Sequence, residues 1–204
     1  FEDSLQMERG LVWLGYSYAD RLHTVTHVHN EPLVPRNRVK GVTERIDMMG
    51  TGVIPLYEKE VEAAVEELLG MGVEAIAVML LYSYINPVNE KKISDIAGRV
   101  MERQGRRIPV VLSSETAPIM REYSRLNSVL MQAYAAERCR TQLLKVEEKA
   151  RQQGYKHNLL TMLSYGGLVG VRYPRLYETL ISGPIGGMLG AKYVGETLDI
   201  SDIV

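Results

Sequence analysis

Residues 55–113 carry the clearest pattern of hydrophobic and polar positions in the chain. An amphipathic helix opens near Pro55 and carries apolar side chains at helical spacing, namely Val61, Ala64, Val65, Leu68 and Leu69. The nearly all-apolar run 73–81 is typical of a buried parallel strand. A second helix begins at Asn86-Pro87, and a second apolar run covers 108–113. This order of helix, strand, helix and strand predicts an α/β layer.

The second half of the chain continues the pattern with one long helix and two further strands. The helix is expected over 121–153, where an apolar stripe runs until Gly154. Strands are expected at 159–164 and 177–181, and a helix rich in small residues follows, with Ser182 as its N-cap. The fold class predicted for the whole chain is therefore α/β.

The first 54 residues are the least periodic part of the chain. A loosely alternating strand is predicted over 22–28, and a short strand with one polar face over 36–46. We predict two regions. Residues 1–54 form an irregular segment suited to subunit contacts, and residues 55–204 form an α/β domain.

The composition is that of an ordinary globular protein, with 204 residues, 46% hydrophobic and 24% charged, and a net charge of −1. A charge so close to zero gives no electrostatic reason to expect nucleic acid or an anionic membrane as a partner. Cys139 is the single cysteine and cannot form an internal disulfide, which favours a reducing compartment, the cytoplasm. No apolar run reaches the length of a membrane-spanning helix.

Three of the four histidines cluster near Asp20, at His23, His27 and His29. Imidazoles and a carboxylate are common metal ligands, so one interpretation is a metal site. Their spacing matches no standard zinc set, and surface or interface histidines are the favoured interpretation. We therefore predict that these residues hold no structural zinc.

Polar residues follow two predicted strands at the ends where ligands bind in open α/β sheets. They are Tyr82-Ser83-Tyr84 after the first strand and Ser113-Ser114-Glu115 after the second. Arg125 and Asn127 begin the next helix and, if buried, would suit an acyl or phosphate oxygen. Glu115 is the best candidate for a general base. Ordinary N-cap and turn chemistry would also explain each stretch.

Small residues concentrate in two places towards the end of the chain. Gly166 and Gly167 follow a predicted strand, where glycine allows positive φ and a close backbone approach to a ligand. The helix that begins at Ser182 and Gly183 has one side nearly bare, through Gly186, Gly187, Gly190 and Ala191. A bare helix start with free N–H groups suits an anion such as phosphate. The alternative is a helix that packs tightly on a sheet.

Six short motifs follow one another in a characteristic order. They are Pro55-Leu56, residues 67–78, Leu81-Tyr82-Ser83-Tyr84-Ile85-Asn86-Pro87, Leu112-Ser113-Ser114-Glu115, Ser164-Tyr165-Gly166-Gly167 and Ser182-Gly183-Pro184-Ile185-Gly186-Gly187. Each is weak alone, but the ordered set resembles the hydantoinase A/5-oxoprolinase family over nearly the whole chain. Residues 17–23 and 47–51 look most like its ATP-dependent acetone carboxylase branch, specifically the hydantoinase-A-like subunit.

The resemblance implies part of an actin/hexokinase-like, ribonuclease H-like ATPase fold. Family members carry two Asp-x-Gly-Gly-Thr phosphate loops; neither occurs in this chain, which is expected to lie between them. The resemblance also implies ATP and Mg2+ as cofactors of the parent protein. Nucleotide contacts are implied for Gly166, Gly167, Ser182, Gly183, Gly186 and Gly187. The implied reaction is carboxylation of an acetone-type ketone after activation by phosphoryl transfer.

Two alternatives remain open. One is a hydantoinase or 5-oxoprolinase, an ATP-dependent hydrolase of cyclic amides, and the other is a non-catalytic domain that docks partner subunits. The implied partners are other carboxylase subunits and a small ketone or cyclic amide. Without the phosphate loops, the isolated piece is expected neither to bind ATP tightly nor to hydrolyse it. In the parent, a Gly186→Asp substitution is expected to place a carboxylate against the phosphates.

Overall fold

A computed structural model describes residues 33–200 of the chain. Its α-helices are α1 Glu58–Gly70, α2 Val88–Arg103, α3 Ser113–Thr116, α4 Glu122–Met131, α5 Glu137–Gln152 and α6 Ser182–Leu198. Its strands are β1 Arg45–Ile46, β2 Gly52–Ile54, β3 Ile76–Val78, β4 Val110–Leu112, β5 Leu160–Met162 and β6 Leu168–Gly170. Two 3-10 turns, Arg36–Arg38 and Leu176–Thr179, and a π-helical turn, Gln132–Ala136, complete the described elements.

The core forms where the strand pair β3–β4 meets helices α1 and α2. The two strands run parallel, and Ile76 pairs with Val110 at their start. The apolar stripe of α1 is buried as its spacing predicts, at Val61, Val65 and Leu69. Helix α2 adds Ile93, Ile96, Ala97, Val100 and Met101. Full burial of one such aliphatic side chain contributes about 1.5–3 kcal/mol. The alternation of helix and strand predicted for 55–113 is therefore confirmed.

The long helix predicted over 121–153 is present as α4, the π-helical turn and α5 in succession. The π-helical turn carries the buried Gln132. The Gln132 amide donates to the Pro174 carbonyl at 2.8 Å, and its oxygen accepts the Tyr177 N–H at 3.2 Å. The π-helical turn therefore fixes the segment that leads into α6 against the long helix.

Strands β5 and β6 form an antiparallel hairpin in which Leu160 pairs with Gly170. The strand predicted at 159–164 is confirmed at its centre. Strand β6 was not predicted, because the glycines on either side of it indicate a loop.

Glu147 of α5 ties this hairpin to the long helix. Its carboxylate is nearly buried, accepts the Leu159 N–H at 3.3 Å, and lies 2.8 Å from Arg172 Nη1. Arg151, one turn further along α5, lies 3.5 Å from the same carboxylate. Both ends of the hairpin are thus attached to one side chain.

The strand predicted at 177–181 is wrong. A 3-10 turn occupies Leu176–Thr179 instead, and α6 begins three residues later. The Thr179 hydroxyl donates back to the Leu176 carbonyl at 2.8 Å, so local bonds replace a strand ladder. The strand-favouring composition of this segment is overridden because its side chains find hydrogen-bond partners nearby.

Two predicted boundaries also change. Helix α6 starts at Ser182, so the N-cap is Ile181 and not Ser182. Within 36–46, only Arg45–Ile46 forms a strand, and it pairs with β2. The preceding Arg36–Arg38 turn follows Pro35, whose φ of −59° and carbonyl bond to the Arg38 N–H at 2.9 Å favour a tight turn.

Several predictions concern residues outside the described range. The strand at 22–28 and the absence of zinc at Asp20, His23, His27 and His29 fall in residues 1–32. The division of the chain after residue 54 stays a prediction.

Candidate functional site

The carboxyl ends of β3 and β4 meet at Glu90, a fully buried residue in the first turn of α2. Its Oε1 accepts the Ser113 hydroxyl at 2.6 Å and the Leu80 N–H at 3.0 Å. Its Oε2 accepts the Ser114 N–H at 2.9 Å. Hydrogen bonds to a carboxylate are short and strong. Glu90 therefore fastens the end of β3 to the end of β4.

Arg125 joins the same cluster from α4 and is also fully buried. Its Nε donates to Ser113 Oγ at 3.0 Å, and its Nη2 donates to the Leu80 carbonyl at 2.6 Å. Its Nη1 donates to the Ile119 carbonyl at 3.0 Å, and Glu122 lies 3.6 Å from Nη2. Protein oxygens accept hydrogen bonds from all three nitrogens of the Arg125 guanidinium. The structure therefore gives this buried arginine a role in holding the fold together. Ser83 Oγ lies 3.3 Å from Ser113 Oγ. We call Ser83, Glu90, Ser113, Ser114 and Arg125 the carboxyl-end cluster.

Sequence reasoning identified four members of this cluster and missed Glu90. The available signal was an acidic residue in the first turn of the next helix after a buried strand, where it also suits the helix dipole. Of the other strand-end candidates, Glu115 is exposed on α3 and Asn127 is half-buried on α4. Glu115 as a general base stays a prediction.

The glycine pair lies in the turn of the β5–β6 hairpin. Gly166 has φ of 83° and Gly167 has φ of 146°, in the region that favours glycine over other residues. The Leu163 N–H donates to the Gly167 carbonyl at 2.9 Å, which closes the turn. A Cβ at Gly166 would lie 3.2 Å from Leu189 Cδ1, so this turn also approaches α6 closely.

Two hydrogen bonds join this turn to the segment that leads into α6. The Ser164 N–H donates to the Glu178 carbonyl at 2.7 Å, and Ser164 Oγ accepts the Ile181 N–H at 3.2 Å. No side chain in the described part of the chain caps α6, which leaves N–H groups of its first turn available to an anion. The two glycine-rich segments singled out in the sequence therefore lie side by side.

The glycines at the start of α6 have different surroundings. A Cβ at Gly186 would lie 3.1 Å from Met162 Sδ, so Gly186 allows the helix to pack closely on β5. A Cβ at Gly183 or Gly187 would meet no other described atom within 4 Å. A side chain at Gly186 would meet Met162 first, and the expectation that an aspartate there would face bound phosphates stays a prediction.

Hydroxyl groups converge on Glu178 beside the same turn. The hydroxyls of Tyr165 and Tyr173 donate to its Oε2 at 2.9 and 2.8 Å, and Arg175 Nε lies 3.3 Å from its Oε1. The hydrogen bond to Glu178 raises the pKa of Tyr165 to about 12. Burial, followed by the Glu178 charge, raises the pKa of Tyr177. Both phenols therefore remain protonated donors at neutral pH.

Tyr177 connects Glu178 to α3, the short helix that follows β4. Its hydroxyl lies 3.3 Å from Glu178 Oε1 and 3.4 Å from the Thr116 carbonyl, and its one proton can serve either acceptor. Thr116 directly follows Glu115 on α3. The predicted strand-end site and the predicted glycine site therefore adjoin.

Three further features of residues 33–200 concern metal ligands, membrane-spanning helices and a groove. In that range, no group of three or more His, Cys, Asp or Glu side chains is placed to hold a metal ion. No helix among these residues is both long enough and apolar enough to cross a membrane. A groove of about 1070 Å³ follows β3 between α1 and α4 and does not include the glycine turn.

The sequence matches two family models. Residues 1–101 match the hydantoinase/oxoprolinase N-terminal region, and residues 125–204 match hydantoinase/oxoprolinase. The acetone carboxylase beta subunit of Xanthobacter autotrophicus is 42% identical over 190 residues, which cover 93% of this chain and 26% of that protein. The acetophenone carboxylase gamma subunit of Aromatoleum aromaticum is 30% identical over 205 residues, which cover 100% of this chain and 28% of that protein. The chain thus spans about a quarter of the length of these relatives.

The fold is similar to that of a solved structure of acetone carboxylase in its nucleotide-free form. The TM-score is 0.88 at 41% identity, over 97% of this chain and 28% of that chain. This similarity confirms the mixed helix and strand architecture. Because family models match most of its length, the chain belongs to the hydantoinase/oxoprolinase family.

Proposed function

We propose that this chain is part of the ATP-using subunit of a ketone carboxylase, in which phosphoryl transfer activates the ketone for carboxylation. The observation that carries this proposal is the 42% identity to the acetone carboxylase beta subunit over 93% of the chain. The 30% identity to the acetophenone carboxylase gamma subunit supports a ketone as the class of substrate. The proposal includes an actin/hexokinase-like fold for the complete protein, other carboxylase subunits as partners, and a cytoplasmic location.

The glycine turn and the start of α6 would hold the phosphates of ATP. The uncapped first turn offers N–H donors at the positive end of the helix dipole. Gly183 and Gly187 leave room beside them, and the positive φ of Gly166 and Gly167 brings the turn close. Ser182 opens the helix, and Gly186 supports the site through its packing on β5. ATP supplies the phosphoryl group that makes a substrate oxygen reactive.

Mg2+ accompanies ATP in the proposed reaction of the complete protein. Residues 33–200 do not supply a set of carboxylate ligands for it, so we assign no step to the metal. Glu115 is the proposed general base, because it is exposed at the carboxyl end of β4, next to the Thr116 carbonyl that faces Tyr177. Phosphoryl transfer requires that the reacting groups be positioned. In this proposal, Glu115, the glycine turn and the start of α6 would position them.

Hydrolysis of a cyclic amide is the second candidate function. The observation that favours it is the match of residues 125–204 to the hydantoinase/oxoprolinase model. A hydrolase would share the proposed phosphate site, since it also activates a carbonyl oxygen with ATP. A hydrolase would differ from the carboxylase because its reaction would not require bicarbonate.

The test measures ATP consumption by the complete protein, purified with its partner subunits. Acetone, acetophenone, hydantoin and 5-oxoproline are each supplied with and without bicarbonate. We expect ATP consumption that requires both a ketone and bicarbonate. Consumption with a cyclic amide in the absence of bicarbonate would establish the hydrolase instead. No consumption and no ATP binding by calorimetry would leave the role of a non-catalytic docking domain.

A further inference from the structure

Glu178 contacts the glycine turn through both its backbone and its side chain. Its carbonyl accepts the Ser164 N–H at 2.7 Å, and its carboxylate accepts the Tyr165 hydroxyl at 2.9 Å. These two residues directly precede Gly166 and Gly167. Ser164 also accepts the N–H of Ile181, the N-cap of α6. Glu178 therefore lies between the glycine turn and α6, the helix that this turn faces.

The Glu178 carboxylate is itself held from several directions. Its side chain is 12% exposed, and Arg175 Nε lies 3.3 Å from Oε1. Arg175 also donates to the Tyr173 hydroxyl from Nε at 3.1 Å and from Nη2 at 2.8 Å. The same Tyr173 hydroxyl donates its proton to Oε2 at 2.8 Å. In this chain of hydrogen bonds from Arg175 through Tyr173 to Glu178, each bond polarises the next. The Arg175 guanidinium also compensates the buried charge of the Glu178 carboxylate.

The bond to Glu178 is the main constraint on Tyr165. The Tyr165 side chain is 65% exposed, so packing alone does not hold its ring. At neutral pH the hydroxyl carries its proton, as in any tyrosine, and it donates that proton to Glu178 Oε2 at 2.9 Å. Without this bond, the backbone freedom of the two following glycines would allow the turn many conformations.

We infer that Glu178 is a positioning residue that fixes the Tyr165-Gly166-Gly167 turn against the start of α6, so that both face one phosphate group. This inference rests on the proposed nucleotide site. Glu178 acts through Tyr165 and does not itself touch the nucleotide. It matters for the affinity of the site, because each hydrogen bond that orders the empty turn removes an ordering cost from binding.

The test uses the complete protein with its partner subunits and compares Glu178→Gln, Tyr165→Phe and the double variant. The control is Glu196→Gln, since Glu196 lies on the exposed surface of α6, 3.7 Å from Lys192. We expect Tyr165→Phe to raise the KM for ATP roughly tenfold, as for the loss of one hydrogen bond to a charged group, with kcat changed less than about twofold. Glu178→Gln should raise the KM for ATP less, because glutamine keeps one acceptor oxygen for the Tyr165 hydroxyl. The double variant should be no worse than Tyr165→Phe, because Tyr165→Phe alone already removes the bond between the two side chains. The control should match the wild type.

Hydrogen exchange provides a second measurement, on residues 164–167. These amides should exchange faster in both single variants, and saturating ATP should restore their protection. If Glu178→Gln does not fold, Tyr165→Phe decides, because it removes only an exposed hydroxyl. A KM for ATP within twofold of the wild type, in a folded variant with unchanged exchange, would overturn the inference. A wild type that shows no saturation with ATP would instead reject the proposed function, and exchange alone would then show whether Glu178 orders the turn.

Discussion

Replacing Glu90 with alanine should destabilise the fold strongly, because a fully buried carboxylate that accepts three hydrogen bonds is lost. The N–H groups of Leu80 and Ser114 would lose their acceptor, while the Ser113 hydroxyl can rotate. A buried unsatisfied donor costs about 1–3 kcal/mol, so two such donors cost roughly 2–6 kcal/mol. The cavity left by the side chain adds to this cost, while water can reach the half-buried Ser114 and lessens it, so we expect a loss of about 3–5 kcal/mol, as for breaking a buried charged pair. At about 2–4 °C per kcal/mol, the melting temperature falls by roughly 6–20 °C.

Urea unfolding of the 204-residue chain, followed by far-UV circular dichroism, measures this loss. The matched control is Glu102→Ala, an exposed glutamate on the same helix, α2, which should change stability by less than about 0.5 kcal/mol. Glu90→Gln should lie between them, because it keeps one acceptor oxygen but turns an amide donor towards the Ser114 N–H. If Glu90→Ala unfolds within about 1 kcal/mol of the control, the cluster does not hold the strand ends together as the geometry indicates.

Two further predictions concern pH and the isolated chain. Burial raises the pKa of Glu147, but its bonds to Arg172 and to the Leu159 N–H outweigh this, and the net pKa is lowered. Its contribution is therefore present above the ordinary value of 4.5 and lost as the pH falls below it, so Glu147→Gln should be more harmful in urea at pH 7 than at pH 3; an equal effect at both pH values would contradict this. The isolated 204-residue chain should bind ATP only weakly, because one helix start supplies about 0.3–2 kcal/mol whereas micromolar affinity needs about 8 kcal/mol. Micromolar binding in a calorimetric titration of the chain alone would refute that reasoning.

The sequence predicted best where burial alone decides the structure. The runs 73–81 and 108–113 are nearly continuous in apolar residues, which suits only a strand with both faces covered, and β3 and β4 lie within them as a parallel pair. The positive φ of Gly166 and Gly167 was also predictable, because glycine adopts that conformation without the steric cost that other residues incur.

The sequence predicted poorly where side chains compete for backbone hydrogen bonds. The segment 177–181 has strand-favouring residues, yet Gln132 and Thr179 bond to its backbone and hold a 3-10 turn. Serine is a favoured N-cap residue, yet Ile181 and not Ser182 is the N-cap of α6. The Ile181 N–H donates to Ser164 Oγ of the neighbouring hairpin. Such partners are distant in sequence, so no local pattern records them.

Glu90 and Glu147 organise this fold, and their positions explain why the sequence pattern did not reveal them. Strands β3, β4 and β5 have only three residues each, so their ladders leave backbone N–H groups unpaired at or near the strand ends. A buried N–H needs an acceptor, and Glu90 accepts those of Leu80 and Ser114, while Glu147 accepts that of Leu159. Both glutamates lie on helices, where an acidic residue normally indicates a solvated surface. Their position opposite a short strand distinguishes them, and this position exists only once the chain has folded.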